Sequence, residues 1–149
     1  MRPRDVLAGL GILLALSIGA GVGRVGVGVA RGDADGQKVG ASAAMSWLAL
    51  IDGGRYAESW KQASAYFRGV ITEAGWDTAL RGARAPLGDV QSRNVRTTKE
   101  AKSLPGAPDG QYVVMEFDTS FANKISAIEM VTFVQEPDGR WRAAGYFIR

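Results

Sequence analysis

Two glutamates and a small group of arginines are the residues whose types and spacing could do chemistry in this sequence. Glu116 and Glu129 sit in two alternating apolar stretches joined through Phe121-Ala122-Asn123-Lys124. If Phe121 pairs with Lys124 across that turn, the two carboxylates stand directly opposite on neighbouring strands. Like charges so placed are destabilising when both ionise, so one carboxyl would hold a raised pKa and serve as an acid or base. A basic neighbour, Lys124 or Arg149, would instead neutralise them, and ion pairing or exposure at a sheet edge is the plainer reading. Arg81, Arg84, Arg93 and Arg96 flank the turn Arg84-Ala85-Pro86-Leu87-Gly88. Guanidinium groups favour carboxylate and phosphate, so Arg84, Arg93 and Arg96 are candidate anion-binding residues. Asp77, Asp89 and Glu100 lie close in sequence, however, and a solvated charged surface is the default for such a mixture. Tyr112, Phe133 and Trp141 are the aromatic candidates for a binding face, whereas Trp47, Trp60 and Trp76 fall at core spacings. Asp109-Gly110 and Asp138-Gly139 read as turns, so neither a metal site nor a cofactor is expected.

Composition removes several chemistries. The chain has no histidine and no cysteine. That takes away the commonest zinc ligand, the usual general base, the Ser-His-Asp triad, disulfides, thiol catalysis and a lipoprotein's acylated cysteine. The formal charge is +3, but Arg2, Arg4 and Arg24 carry three of the 18 basic residues and Asp5 one of the 15 acidic ones. The rest of the chain is therefore near +1, and no nucleic-acid partner is expected. Gly21-Val22-Gly23-Arg24-Val25-Gly26 matches G-x-G-x-x-G, but a polar, Gly-rich stretch follows where a dinucleotide site needs an amphipathic helix.

The elements that must position these residues follow from pattern. Met1-Arg2-Pro3-Arg4 is a basic start, and Val6 to Gly23 is an uncharged run of 18 residues. As a helix that run spans about 27 Å, just enough for a hydrocarbon core of about 30 Å. Residues 1–30 are thus expected to be a transmembrane anchor or a signal peptide cleaved after Gly28-Val29-Ala30, with the remaining chain outside the cytoplasm. Gly11, Ala15, Gly19 and Gly23 form a small-residue ridge suited to helix association. Residues 31–40 read as a polar linker and 41–149 as a single domain.

Within that domain Ala44, Trp47, Leu48 and Ile51 give a helical stripe ended by Asp52-Gly53-Gly54. A second helix carries Tyr56, Trp60, Ala63 and Phe67. Thr72 caps a third, which stops before Pro86. Strands are expected over 89–98, 111–121, 126–135 and 140–148, with hairpins at Phe121 to Lys124 and Glu136 to Arg140. The fold class is α+β, three helices on a four-stranded antiparallel sheet. In the same register Val113, Met115, Phe117, Ile128, Met130, Tyr146 and Ile148 form the core face. The opposite face collects Tyr112, Val114, Val131, Phe133, Trp141 and Phe147. That face is too apolar to stand open, so a partner subunit, a ligand or the first helix is expected to cover it.

Several strings together carry a family resemblance over residues 41–149. They are Trp47-Leu48-Ala49-Leu50-Ile51-Asp52-Gly53-Gly54-Arg55-Tyr56-Ala57-Glu58-Ser59-Trp60, Arg84-Ala85-Pro86-Leu87-Gly88, Ser103-Leu104-Pro105-Gly106, Phe121-Ala122-Asn123-Lys124 and Trp141-Arg142-Ala143-Ala144-Gly145-Tyr146-Phe147-Ile148. In these the chain resembles the bacterial domain-of-unknown-function family numbered 4019. The resemblance implies a small secreted or membrane-tethered protein and supplies no catalytic residues. The helix-then-sheet order is also similar to the nuclear-transport-factor-like cone fold, although a fold does not fix a function. The expected function is a non-catalytic envelope module that binds a partner protein or itself. The alternatives are an enzymatic or ligand-binding cup using the paired glutamates, and a structural membrane-anchored accessory.

Overall fold

The computed structural model describes residues 31–149. The expected anchor or signal, its small-residue ridge and the glycine motif at 21–26 lie outside the described residues. Among the described residues no helix is long and apolar enough to cross a membrane.

Four helices precede four strands: α1 Arg31–Asp52, α2 Tyr56–Lys61, α3 Ala65–Val70, α4 Glu73–Arg84, β1 Val90–Ala101, β2 Tyr112–Phe121, β3 Lys124–Gln135 and β4 Trp141–Ile148. The stretch expected as a linker, 31–40, is helical and continuous with the first apolar stripe. Its glycines let the helix lie close to the sheet: a Cβ on Gly40 would stand 3.4 Å from three Val113 carbons. The helix ends as its sequence predicts, with Gly54 at φ +72 and the Arg55 N–H donating to the Leu50 carbonyl at 2.8 Å.

The second expected helix is two. Ser64 interrupts it by capping α3, its Oγ accepting from the Phe67 N–H at 3.1 Å, while its own N–H donates to the Ala143 carbonyl on β4 at 2.8 Å. A serine with a sheet partner for its backbone stabilises a helix start better than a helix interior. Thr72 caps α4 as expected, accepting from the Gly75 N–H at 3.1 Å.

The sheet is an antiparallel meander in the order β1-β2-β3-β4. Phe121 does pair with Lys124, but an irregularity between Thr119 and Phe121 shifts the rest of the β2–β3 register by one residue. Phe117 therefore faces Glu129, Met115 faces Val131 and Val113 faces Phe133. A one-residue slip exchanges the two faces of a strand. Val131 and Phe133 accordingly belong to the buried core and Ile128 and Met130 to the outer face, the reverse of the expected assignment. Val113, Met115, Phe117, Tyr146 and Ile148 keep their expected place in or against the core.

The core sits between helices and sheet around Trp47. Its ring stacks on Trp76 at 6.0 Å and meets Phe67, Phe133 and Tyr146 edge-on at 6.5, 6.1 and 5.9 Å. Both indole N–H groups are satisfied at one serine: Trp47 Nε1 donates to the Ser59 carbonyl and Trp76 Nε1 to Ser59 Oγ, at 2.8 and 2.9 Å.

Candidate functional site

The expected Glu116–Glu129 pair does not form. The register shift places Glu116 opposite Met130 on the outer face and turns Glu129 into the core opposite Phe117. Glu116 receives hydrogen bonds from Arg149 and Thr97, both at 3.3 Å. Glu129 is fully buried and is the hub of an ionic network joining α1, α4, β1, β2, β3 and β4.

Each arm of that network comes from an element end or a strand face. Arg93 on β1 donates Nε and Nη2 to Glu129 at 2.7 and 3.2 Å, and Nη1 and Nη2 to Asp52 at 2.7 and 2.9 Å. Asp52, at the C-terminus of α1, also accepts from Arg84 Nη2 at 2.9 Å. Thr119 Oγ1 donates to Glu129 at 2.7 Å, and the Tyr146 hydroxyl donates to the other Glu129 oxygen. The Arg84 guanidinium lies 5.0 Å from the Phe121 ring; its Nε is buried and has no hydrogen-bond partner among the described residues.

Electrostatics here are self-compensating, with two guanidiniums against two carboxylates. Burial alone would raise the Asp52 pKa, but the hydrogen bonds and charge of Arg93, then those of Arg84, outweigh it and hold the carboxyl below its usual range. Burial would depress Arg93, yet its bonds to Asp52 and Glu129 raise it. Burial, followed by the adjacent Glu129 carboxylate, pushes the Tyr146 phenol well above its ordinary value. A phenol held neutral and two ion pairs that satisfy each other are equipped to brace the fold rather than to exchange protons.

The remaining candidates separate. Of the arginines, Arg84 and Arg93 enter the network, while Arg96 pairs with Asp118 on the exposed surface at 3.1 Å and Arg81 with Asp77 at 2.7 Å. Phe133 is core. Trp141 is half-buried against the core, near the α1 glycine Gly36. Tyr112 is buried on the outer face, where it packs with Leu104 and Ala144. Val131, Phe133 and Trp141, expected on that face, lie in or against the core instead, and what packs on the outer face at this end is none of the expected covers but the chain's own 103–110 loop. Tyr66 holds that loop by donating to the Gly106 carbonyl at 2.9 Å, and the Tyr112 hydroxyl donates to the Pro108 carbonyl.

Beyond the loop, the outer face carries half-buried Val114, Ile128 and Met130 and exposed Phe147. At its far end is an open depression of about 140 Å³, lined by Ser92, Asn94, Asp118, Ser120, Ser126 and the rim residue Ile125. Among the described residues no three acidic, histidine or cysteine side chains gather to hold a metal ion.

Sequence reasoning missed Asp52, Thr119 and Tyr146. Asp52 reads as a helix-ending residue, and its reach to Arg84 and Arg93 is long-range. The one available signal was Glu129 itself, a lone carboxylate in the apolar run Ala127 to Val134, because a buried charge requires a partner.

The family profile described as "Protein of unknown function (DUF4019)" matches residues 43–146. No curated protein matches the chain. Every string that carries the resemblance is used in bracing. Gly88 (φ +73) leaves room for Ala122, whose Cβ would stand 3.1 Å from a Cβ at 88. The Asn123 and Ala122 N–H groups donate to the Leu87 and Asp89 carbonyls at 2.9 and 2.8 Å.

Proposed function

The chain belongs to the DUF4019 family, and from that premise we propose that it is a non-catalytic module of the cell envelope that docks a protein partner on the outer face of its sheet. The observation that carries this reading is the closed network: the groups best equipped for acid–base or anion chemistry are committed to one another. The outer face, by contrast, exposes Phe147 at 36 % beside half-buried Met130, Val114 and Ile128. An apolar strip rimmed by charged residues, here Arg149 and Asp118, is the surface type used for protein contacts.

The basic start and the uncharged run from Val6 to Gly23 support an inner-membrane anchor with the domain outside the cytoplasm, or a removed signal. Mass spectrometry of the mature N-terminus separates them: Arg31 as first residue means cleavage. Irregularities in all three strand pairings support a bent sheet of the cone-like kind, since bulges curve strands.

The docking reading is tested with a photo-crosslinking amino acid at Phe147 in native cells, with the helix-side residue Val70 as control. Adducts are expected at 147 and not at 70. Adducts at neither position, or only at 70, would overturn it.

A further inference from the structure

Resting on that reading of the outer face, we infer that the partner is a second copy of this chain, paired face to face so that each copy's 103–110 loop enters the depression of the other. Three features of one face fit each other. One end is raised, because the loop stands over Tyr112 and Ala144 and is pinned by Tyr66. The opposite end is hollow, at Ser92, Asn94, Asp118, Ser120 and Ser126. Between them runs the strip of Val114, Met130 and Phe147.

A two-fold axis crossing the strands at the row Glu116, Met130, Phe147 exchanges the two ends, so knob meets hollow twice. An axis along β3 would instead set the two loops against each other at one end and hold the sheets apart. The depression, at about 140 Å³, falls well short of the roughly 300–1,000 Å³ of small-molecule sites, and suits a loop tip.

The chemistry matches as well. Pro105 and Pro108 give the loop two residues without an N–H; its Leu104, Gly106 and Pro108 carbonyls already accept within the chain, which leaves Pro105 and its neighbours at the tip to meet the hollow. The depression supplies serine hydroxyls and an asparagine amide as donors beside the Asp118 carboxylate, which Arg96 neutralises at 3.1 Å. Glu116, nearest the axis, arrives already paired with Arg149 at 3.3 Å, so the centre brings ion pairs rather than bare like charges. Four strands about 4.8 Å apart and some 30 Å of strand length give roughly 600 Å² per copy. The total of roughly 1,200 Å² sits at the lower limit of specific interfaces and implies a weak, concentration-dependent dimer.

The absence of cysteine makes the test clean. Light scattering on the purified full chain should show the mass rising toward twice that of one chain with concentration. Phe147→Asp should remain monomeric with an unchanged circular dichroism spectrum. Mixing Pro105→Cys chains with Ser126→Cys chains should give the mixed disulfide in excess of either self-disulfide. A wild-type chain that stays monomeric at every concentration overturns the inference, as does a mixture of the two cysteine variants that forms no mixed disulfide or in which Pro105→Cys links chiefly to itself. The outer-face reading falls separately: crosslinks from 147 to a protein of different mass would preserve it while excluding the second copy, and no crosslinks at all would remove both.

Discussion

Arg93 is the side chain on which the interior depends most. Its guanidinium is the only group bonded to both carboxylates of the network among the described residues, and Glu129 beneath it is fully buried. Removing one partner of a buried pair leaves an uncompensated charge, at a cost of about 3–5 kcal/mol. Arg93→Ala should lose stability on that scale in urea unfolding, and Arg93→Lys should recover little, because an ammonium cannot fork between two carboxylates. Asp52 predicts a pH effect of definite sign. Its folded pKa lies below the ordinary carboxyl value of 3.8, so its contribution is complete above that value and is lost as pH falls through the lower folded pKa. Asp52→Asn should be less stable at neutral pH and should show a flatter loss of stability below pH 4, measured as unfolding midpoint against pH. At this scale the sequence was only partly legible. It singled out Arg84, Arg93 and Glu129 but joined Glu129 to the wrong partner, because contacts between residues 32 to 41 positions apart leave no local pattern.

Helix and turn signals were legible wherever the cause is local. Thr72 accepts from the Gly75 N–H, and Thr72→Ala should cost about 1 kcal/mol by thermal or chemical denaturation. Gly88 combines φ +73 with a 3.1 Å approach to the Ala122 side chain. Gly88→Ala should therefore cost at least about 1–2 kcal/mol from the left-handed backbone alone, with further loss from crowding against the hairpin; denaturation against wild type checks it. Two features had no sufficient local cause to read, the Ser64 cap of α3 being a signal that many helix interiors also carry. The break between α2 and α3 depends on a sheet carbonyl receiving the Ser64 N–H. The irregularity between Thr119 and Phe121 adds a residue to the pairing without a glycine or proline to announce it, and that single step exchanged the faces of Ile128, Met130, Val131 and Phe133.

Across the whole molecule, helix layer and sheet share one aromatic interior. Trp47 on α1 touches rings from α3, α4, β3 and β4, and the ionic network joins the same layers at one end. Such a core has no seam along which half of it could open, so unfolding should be a single cooperative event. Tryptophan fluorescence and far-ultraviolet circular dichroism should give superimposable urea curves; separated midpoints would contradict this. The layer order and the meander followed from the change of period near Leu87, as expected from sequence.

The course of α1 has a mechanical consequence. The helix lies with Gly36 near Glu100 and Trp141, and with Asp52 locked to Arg84 and Arg93 at the other end of the sheet. Tension drawn along its axis from residue 31 loads the glycine contacts, the Trp47 packing and the Asp52 lock together, in shear. Tension drawn away from the sheet loads them one after another, beginning at Gly36. The same helix is therefore a stiff strut in one direction and a peelable strip in the other.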